Sequence, residues 1–340
     1  MEVNTPSTTV GSLSNQPGGT GAIAVPPGAF ERAKNRSTAN TGDVIFGLLT
    51  GFFAFLVLAL VFLMGYEMFH GSHLSIDKFG WSFLITQVWD PVQDQYGALV
   101  FIFGTVVSSL LALVIALPLS LGVAIFLSEL APRWLEQPIS FFTELLAAIP
   151  SIVYGLWGIF VLVPWLRTSV EPLLSKNLKF LPLFRGAPYG FGMLAAGVIL
   201  AIMILPIITS ISRDVLRAIP TAQREAALAL GATRWETTKI VLSDGKSGLL
   251  GATLLGLGRA VGETMAVTMV IGNRPEISAS LLAPGYTMAS VIANEFTEAT
   301  SDLYISSLIE IALILFAVTI VLNAAARLIV WSVTKKFKTT

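Results

Sequence analysis

Two charged residues with a spacing of four lie inside a long apolar stretch of this chain. In "LGLGRAVGETMAVTMVIGN", residues 255–273, they are Arg259 and Glu263. On a helix, this spacing places both side chains on one face, where they can form an ion pair. Ionisable residues inside a membrane helix are costly to insert and are functional by default. The stretch therefore predicts a site on a substrate path, with a purely structural ion pair between helices as the alternative.

The composition indicates a membrane protein without metal or thiol chemistry. Of the 340 residues, 54% are hydrophobic and 12% are charged, whereas soluble domains are about a quarter charged. There is no cysteine, and the two histidines, His70 and His73, are too few for a zinc site. We therefore expect no catalytic residues, no metal, no cofactor and no nucleic-acid partner.

Six apolar runs are each long enough to cross a hydrocarbon core of about 30 Å. We predict an all-α membrane protein with six transmembrane helices at 44–69, 98–127, 139–166, 189–211, 247–272 and 305–333. Residues 1–42 are rich in Ser, Thr, Asn, Gly and Pro and predict a disordered cytoplasmic tail. Residues 43–338 then form the membrane domain.

The distribution of Lys and Arg predicts the orientation. An even number of spans places both termini on one side, and basic residues favour the cytoplasmic side. Most of the basic residues lie in the segments on the side of the termini, so both termini are expected to be cytoplasmic. The outer segment 167–188 is an exception with four basic residues, opposed only by Glu171. It predicts either a solvated loop or an anion-attracting vestibule or docking surface.

Proline marks a second candidate site in the third predicted span. In "AAIPSIVYGLWG", residues 147–158, Pro150 is expected to kink the helix next to Ser151. A kink in a membrane helix frees backbone polar groups that a neighbour or a water-filled path must satisfy. Ser151 is therefore a candidate for the substrate pathway, although helix packing alone also explains the pattern.

A long charged segment, residues 213–247, separates the fourth and fifth predicted spans. Within it, "TAQREAALALGA" predicts a short helix that Thr221 caps and Gly231 ends in a left-handed conformation. The nearby "DGKSG" is not a nucleotide-binding loop, because Ile240 stands where that motif needs glycine. We therefore do not expect this chain to hydrolyse ATP by itself.

The order of residues in this segment resembles the coupling loop of ABC importer permeases. Glu225, Ala226 and Ala227 are followed after three residues by Gly231 and later by "IVL", although Ser243 replaces the usual proline. Together with "GLGRAVGETMAVTMVIGN" and "IPSIVYGLWGIFVLVP", the pattern is similar to the C-type permease subunits of high-affinity phosphate ABC importers.

The resemblance implies the type I ABC importer permease fold in a prokaryotic inner or plasma membrane. It implies a heterodimer with a homologous A-type permease, two copies of an ATP-binding subunit and an extracytoplasmic phosphate-binding protein. Phosphate would pass Arg259 and Glu263, and a guanidinium matches phosphate oxygens. The coupling-loop residues that would act on the ATPase are Arg224, Glu225, Ala226, Ala227 and Gly231. An ion-coupled secondary transporter, a permease for another oxyanion and a membrane scaffold without cargo remain the alternatives.

Overall fold

A computed structural model describes residues 41–337, so most of the predicted tail at residues 1–42 lies outside the described part. Six of the described helices are long and apolar enough to span a membrane: Gly42–Gly71, Leu99–Leu130, Ser151–Asn177, Met193–Arg217, Arg234–Gly262 and Asp302–Leu328. Residues 41–337 form no named strand, and Asp90 and Gln95 make one isolated antiparallel bridge. The prediction of an all-α protein with six spans is confirmed.

The helices follow one another in this order: α1 Thr41–Gly71, α2 His73–Phe79, α3 Ser82–Ile85, α4 Leu99–Ile125, α5 Arg133–Ala148, α6 Ser151–Trp157, α7 Val163–Trp165, α8 Glu171–Asn177, α9 Met193–Arg217, α10 Thr221–Ala229, α11 Arg234–Gly262, α12 Met265–Val270, α13 Met288–Glu295 and α14 Asp302–Phe337. Wider π-helical turns lie at Phe126–Leu130, Gly158–Leu162 and Leu166–Val170, and a 3₁₀ turn at Pro182–Phe184.

The chain divides into two compact units, one ending at Leu60 and one beginning at Val61. In the first unit, residues 42–60 are all exposed and mostly apolar, as expected of a helix that faces lipid. The core of the second unit is built around α9, whose buried residues include Ile199 and Ile204. This helix packs against α4 and α11.

The start of α9 is fixed by the segment that follows α12. Gly192, Met193 and Leu194 donate their N–H groups to the carbonyls of Val270, Ala283 and Leu281, at 3.0, 3.1 and 2.8 Å. The first N–H groups of a helix have no partner within it. Here, carbonyls from residues 270–283 supply the partners. The segment after α12 is thereby held against the central helix.

The third span differs from its predicted bounds of 139–166. Helix α5 ends at Ala148, and Ile149 and Pro150 are extended, with φ/ψ of −68°/128° and −58°/140°. Proline disfavours helical geometry in the residue before it. Pro150 therefore separates two helices instead of kinking one, and the span that follows, Ser151–Asn177, begins at Ser151.

Helix α11, which contains the fifth span, also begins earlier than predicted, at Arg234 instead of residue 247. Thr233 and Glu236 form a capping box at its start, in which the Thr233 N–H donates to Oε2 of Glu236 at 2.8 Å. This box satisfies backbone donors that would otherwise lack partners. The signal was present in the sequence as "TRWE" but was missed. The non-helical connection is therefore shorter than the predicted segment 213–247, since α9 itself runs to Arg217.

Candidate translocation pathway and coupling helix

The helix that carries Arg259 ends three residues later, at Gly262. Glu263 is extended, with φ −71° and ψ 127°, and the short helix α12 begins at Met265. The predicted continuous span 247–272 is therefore wrong. Glycine weakens a helix by about 1 kcal/mol relative to alanine, and the backbone contacts after α12 hold this segment in its own direction. Arg259 thus lies in the last turn of α11, where a cation favours the helix dipole.

The predicted ion pair between Arg259 and Glu263 is also wrong. Within residues 41–337, no ion pair joins these two side chains. Arg259 is exposed, whereas Glu263 is partly buried and its Oε1 accepts the N–H of Ala266 at 3.5 Å. Glu263 is therefore oriented by α12, and the guanidinium of Arg259 is left available for another anion.

A residue that the sequence analysis missed, Tyr154, bridges the break in the third span. Tyr154 is buried in α6. The hydroxyl of Tyr154 donates to the carbonyl of Leu146 at 2.7 Å. Leu146 lies before the break at Pro150, and Tyr154 lies after it, one turn beyond the partly buried Ser151. Tyr154 thus ties the start of α6 to the end of α5 across the break.

Helices α6 and α12, which follow the two chain breaks, pack against each other. Gly155 allows their close approach: a Cβ at this position would lie 2.4 Å from Sδ of Met269 and 3.1 Å from Cα of Ala266. The helix that begins at Ser151 and the helix that follows Glu263 are therefore brought together. A glycine contact of this kind is common where membrane helices meet.

We expect Gly155→Ala to destabilise the protein by about 1–3 kcal/mol, because overpacking forces α6 and α12 apart. Gly122→Ala is the matched control, since a Cβ there meets no described atom within 4 Å and alanine favours a helix. Thermal unfolding in detergent measures both variants. Equal midpoints for the two variants would contradict this role for Gly155.

The short helix predicted to begin at Thr221 is present as α10, Thr221–Ala229. Its N-cap is Pro220 and no side chain caps it, so the predicted role of Thr221 is wrong. Gly231 has a φ of +84°, as predicted. The N–H of Ala232 donates to the Ala227 carbonyl at 3.1 Å and that of Gly231 to the Leu228 carbonyl at 3.0 Å. These bonds form a Schellman motif, which ends the helix with a left-handed glycine.

The predicted coupling residues do not all face the same way. Glu225, Ala226 and Gly231 are exposed, whereas Ala227 is buried. Arg224 faces the membrane domain: its Nη2 and Nε bind the carboxylate of Glu129 at 2.8 and 3.1 Å. This bond raises the pKa of Arg224. Glu129 was missed, although a carboxylate ending the apolar second span was a visible signal.

The basic segment 167–188, which was predicted to be an outer loop, is partly helical. The third span continues through α8 to Asn177. The four basic residues of the segment are all exposed: Arg167, Lys176, Lys179 and Arg185. Glu171, which was expected to oppose them, is only 1% exposed, and its Oε2 accepts the N–H of Gly190 at 2.9 Å. The basic surface therefore keeps its positive charge.

Comparison with known proteins places this architecture in a family. Residues 116–335 match the family described as "Binding-protein-dependent transport system inner membrane component". The phosphate transport system permease protein PstC of Mesorhizobium japonicum is 50% identical over 290 residues, covering 84% of this chain and 89% of that protein. The probable PstC of Methanocaldococcus jannaschii is 38% identical over 269 residues, covering 77% and 85%.

A solved structure supports the fold. An inward-facing form of the MetNI methionine ABC transporter matches with a TM-score of 0.53 and 19% identity, over 68% of this chain and 94% of that one. The resemblance in sequence to C-type permeases is confirmed, and the six apolar helices agree with a multi-pass inner-membrane protein. Permeases of this kind work with ATP-binding and substrate-binding partners. The chain therefore belongs to the family of binding-protein-dependent transport system inner membrane components, as a PstC-type permease with the type I ABC importer fold.

Proposed function

We propose that this chain forms half of the translocation pathway for inorganic phosphate in an ATP-driven importer. The observation that carries the proposal is the exposed helix α10 with its left-handed Gly231, placed between two spans. Neither a secondary transporter nor a scaffold requires such a helix. The substrate assignment follows the names of the relatives, which are phosphate transport system permeases. The other half of the pathway is a homologous A-type permease.

The proposed partner of α10 is an ATP-binding subunit, present in two copies in the complex. Glu225 and Ala226 are exposed on α10, and three large apolar side chains beside them also face outward: Leu228, Leu230 and Trp235, of which Leu230 is 90% exposed. Exposed apolar residues rimmed by polar ones mark protein interaction sites. ATP hydrolysis is assigned to that subunit, and this chain acts as a non-catalytic permease.

The proposed substrate contact is Arg259. Its exposed guanidinium offers planar, bidentate donors that match phosphate oxygens. Since Glu263 does not bind it in this chain, phosphate does not have to displace a carboxylate. Ser151, at the start of α6, contributes a hydroxyl in the neighbouring element. Glu263 then serves to orient the start of α12 and to balance the charge of the pathway.

The orientation is part of the proposal, with both termini in the cytoplasm. An ATP-binding subunit is cytoplasmic, so α10 and the ends of α9 and α11 lie on that side. The basic segment 167–188 then lies outside, where an extracytoplasmic phosphate-binding protein docks or phosphate is attracted. Clefts lined by charges of one sign raise the local concentration of their counter-ions. Residues 43–338 are proposed as the permease domain, and the tail predicted at residues 1–42 lies almost wholly outside the described residues.

Co-purification and uptake test the proposal together. The chain is co-expressed with its partner subunits in a host that lacks phosphate importers, and the tagged chain is isolated. We expect an ATP-binding subunit to co-purify and vesicles to accumulate radiolabelled phosphate only when ATP is present. Uptake driven by an ion gradient without ATP would instead favour a secondary transporter. ATP-dependent uptake of sulfate or molybdate in place of phosphate would redirect the substrate assignment.

A further inference from the structure

Three arginines at the end of α9 and in α10 form ion pairs with three glutamates that precede Ser151 in the sequence. The first arginine along the chain pairs with the last glutamate, and the last arginine with the first glutamate. We call these pairs the arginine ladder: Arg213–Glu144, Arg217–Glu136 and Arg224–Glu129. The arginines lie between the end of α9 and α10, and the glutamates lie between the end of the second span and α5. The ladder therefore connects the coupling helix to the element that ends at the break before Ser151.

The Arg224–Glu129 pair is the most buried of the three. Its side chains are 19% and 8% exposed, whereas Glu144 in the Arg213–Glu144 pair is 62% exposed. A buried pair has fixed geometry, and losing one partner leaves an uncompensated charge. An exposed pair is screened and contributes little. We therefore expect the Arg224–Glu129 pair to contribute most to any transmission of movement through the ladder.

Arg224 also holds the end of the fourth span. Its Nη1 donates to the Ile219 carbonyl at 2.7 Å and its Nη2 to the Leu216 carbonyl at 2.8 Å. A single guanidinium on α10 thus binds the segment at the end of α9 and, through Glu129, the end of the second span. Glu129 lies in the π-helical turn Phe126–Leu130.

We propose that the Arg224–Glu129 pair is the strut that passes movement of α10 to the second and fourth spans, and through α5 to the break beside Ser151. This proposal rests on the proposed function and adds positioning residues to it. Glu225 and Ala226 face outward for the ATP-binding subunit, while Arg224 faces inward for transmission. Coupling of this kind travels through contiguous hydrogen bonds and rigid helices.

The test measures the number of ATP molecules hydrolysed per phosphate transported, in vesicles containing the complete complex and the loaded binding protein. This ratio does not depend on the amount of folded protein, so a loss of stability alone does not move it. We expect Glu129→Gln to raise the ratio about tenfold, a typical coupling between sites, while the ATP-binding subunit still co-purifies. Glu144→Gln should raise it less than about twofold, because Glu144 is 62% exposed and Arg213 keeps its ion pair with Asp214.

Glu276→Gln is the matched control, because Glu276 forms an exposed ion pair with Arg274 at 2.7 Å outside the ladder. The swapped variant, Glu129→Arg with Arg224→Glu, should lower the ratio relative to Glu129→Gln, since it restores the ion pair but not the carbonyl bonds. If Glu129→Gln does not assemble, the swapped variant carries the test alone. A swapped complex that assembles with a ratio near that of the unmodified complex supports the strut.

An unchanged ratio in Glu129→Gln would overturn the proposal, and so would a swapped variant whose ratio is about tenfold above that of the unmodified complex. Failure of the swapped variant to assemble would assign the pair to folding and overturn it as well. These results differ from failure of the proposed function. In that case, the unmodified chain would bind no ATP-binding subunit and show no ATP-dependent uptake.

Discussion

Arg259→Gln is expected to reduce phosphate uptake to background without reducing the amount of assembled complex. An anion that enters a region of low dielectric loses its hydration, and a neutral amide does not compensate for that loss. The exposed position of Arg259 at the end of α11 is the reason to expect normal folding. Radiolabelled phosphate uptake per molecule of assembled complex measures the effect. Arg274→Gln, which removes an exposed arginine beyond α12, is the matched control.

The companion variants separate charge from shape. Arg259→Lys should recover little uptake, because an ammonium lacks the planar fork that matches phosphate. Glu263→Gln should be milder, since an amide oxygen can still accept the N–H of Ala266. If Glu263 instead carried a coupled proton, its loss would be as severe as that of Arg259.

A double variant decides whether the two charges take part in transport at all. If Arg259 and Glu263 only stabilised the fold, replacing both by leucine would leave no buried charge unpaired and would preserve uptake. The absence of an ion pair between them in the described residues already removes the main support for this alternative. We expect the double leucine variant to assemble and to transport no phosphate. Full uptake would remove both residues from the mechanism.

The predictable part of this fold was set by apolar length and by local backbone chemistry. Six apolar runs predicted six spans because a hydrocarbon core imposes a minimum helix length. The conformation of Gly231 was predictable because a left-handed helix end strongly favours glycine. The alanine-rich α10 was predictable for the same local reasons.

The breaks in the third and fifth spans were not predictable from apolar periodicity. Apolar residues lie on both sides of Pro150 and of Gly262, so apolar periodicity alone predicts one continuous helix at each place. The end of α5 is set locally by Pro150, whereas the position of α12 depends on tertiary contacts, such as the packing of Gly155 against it. The predicted ion pair between Arg259 and Glu263 was wrong for this reason, because a spacing of four places two side chains on one face only where the helix is continuous. Glu129 is visible in the sequence as a carboxylate at the end of an apolar span, but its pairing with Arg224 is not, because the two residues are 95 positions apart.

Gly231→Val is expected to abolish the stimulation of ATP hydrolysis by loaded binding protein, while the chain still inserts into the membrane. Gly231 is exposed, and a Cβ there meets no described atom within 4 Å, so any effect must come from the backbone. Its φ of +84° is strained for a β-branched residue by about 1–3 kcal/mol. Valine should therefore unwind the Schellman motif and turn α10 away from the ATP-binding subunit. Gly231→Asn is the matched control, because asparagine tolerates the left-handed region and should retain most of the stimulation. Equal stimulation in the valine and asparagine variants would show that the geometry at Gly231 does not position α10 for coupling.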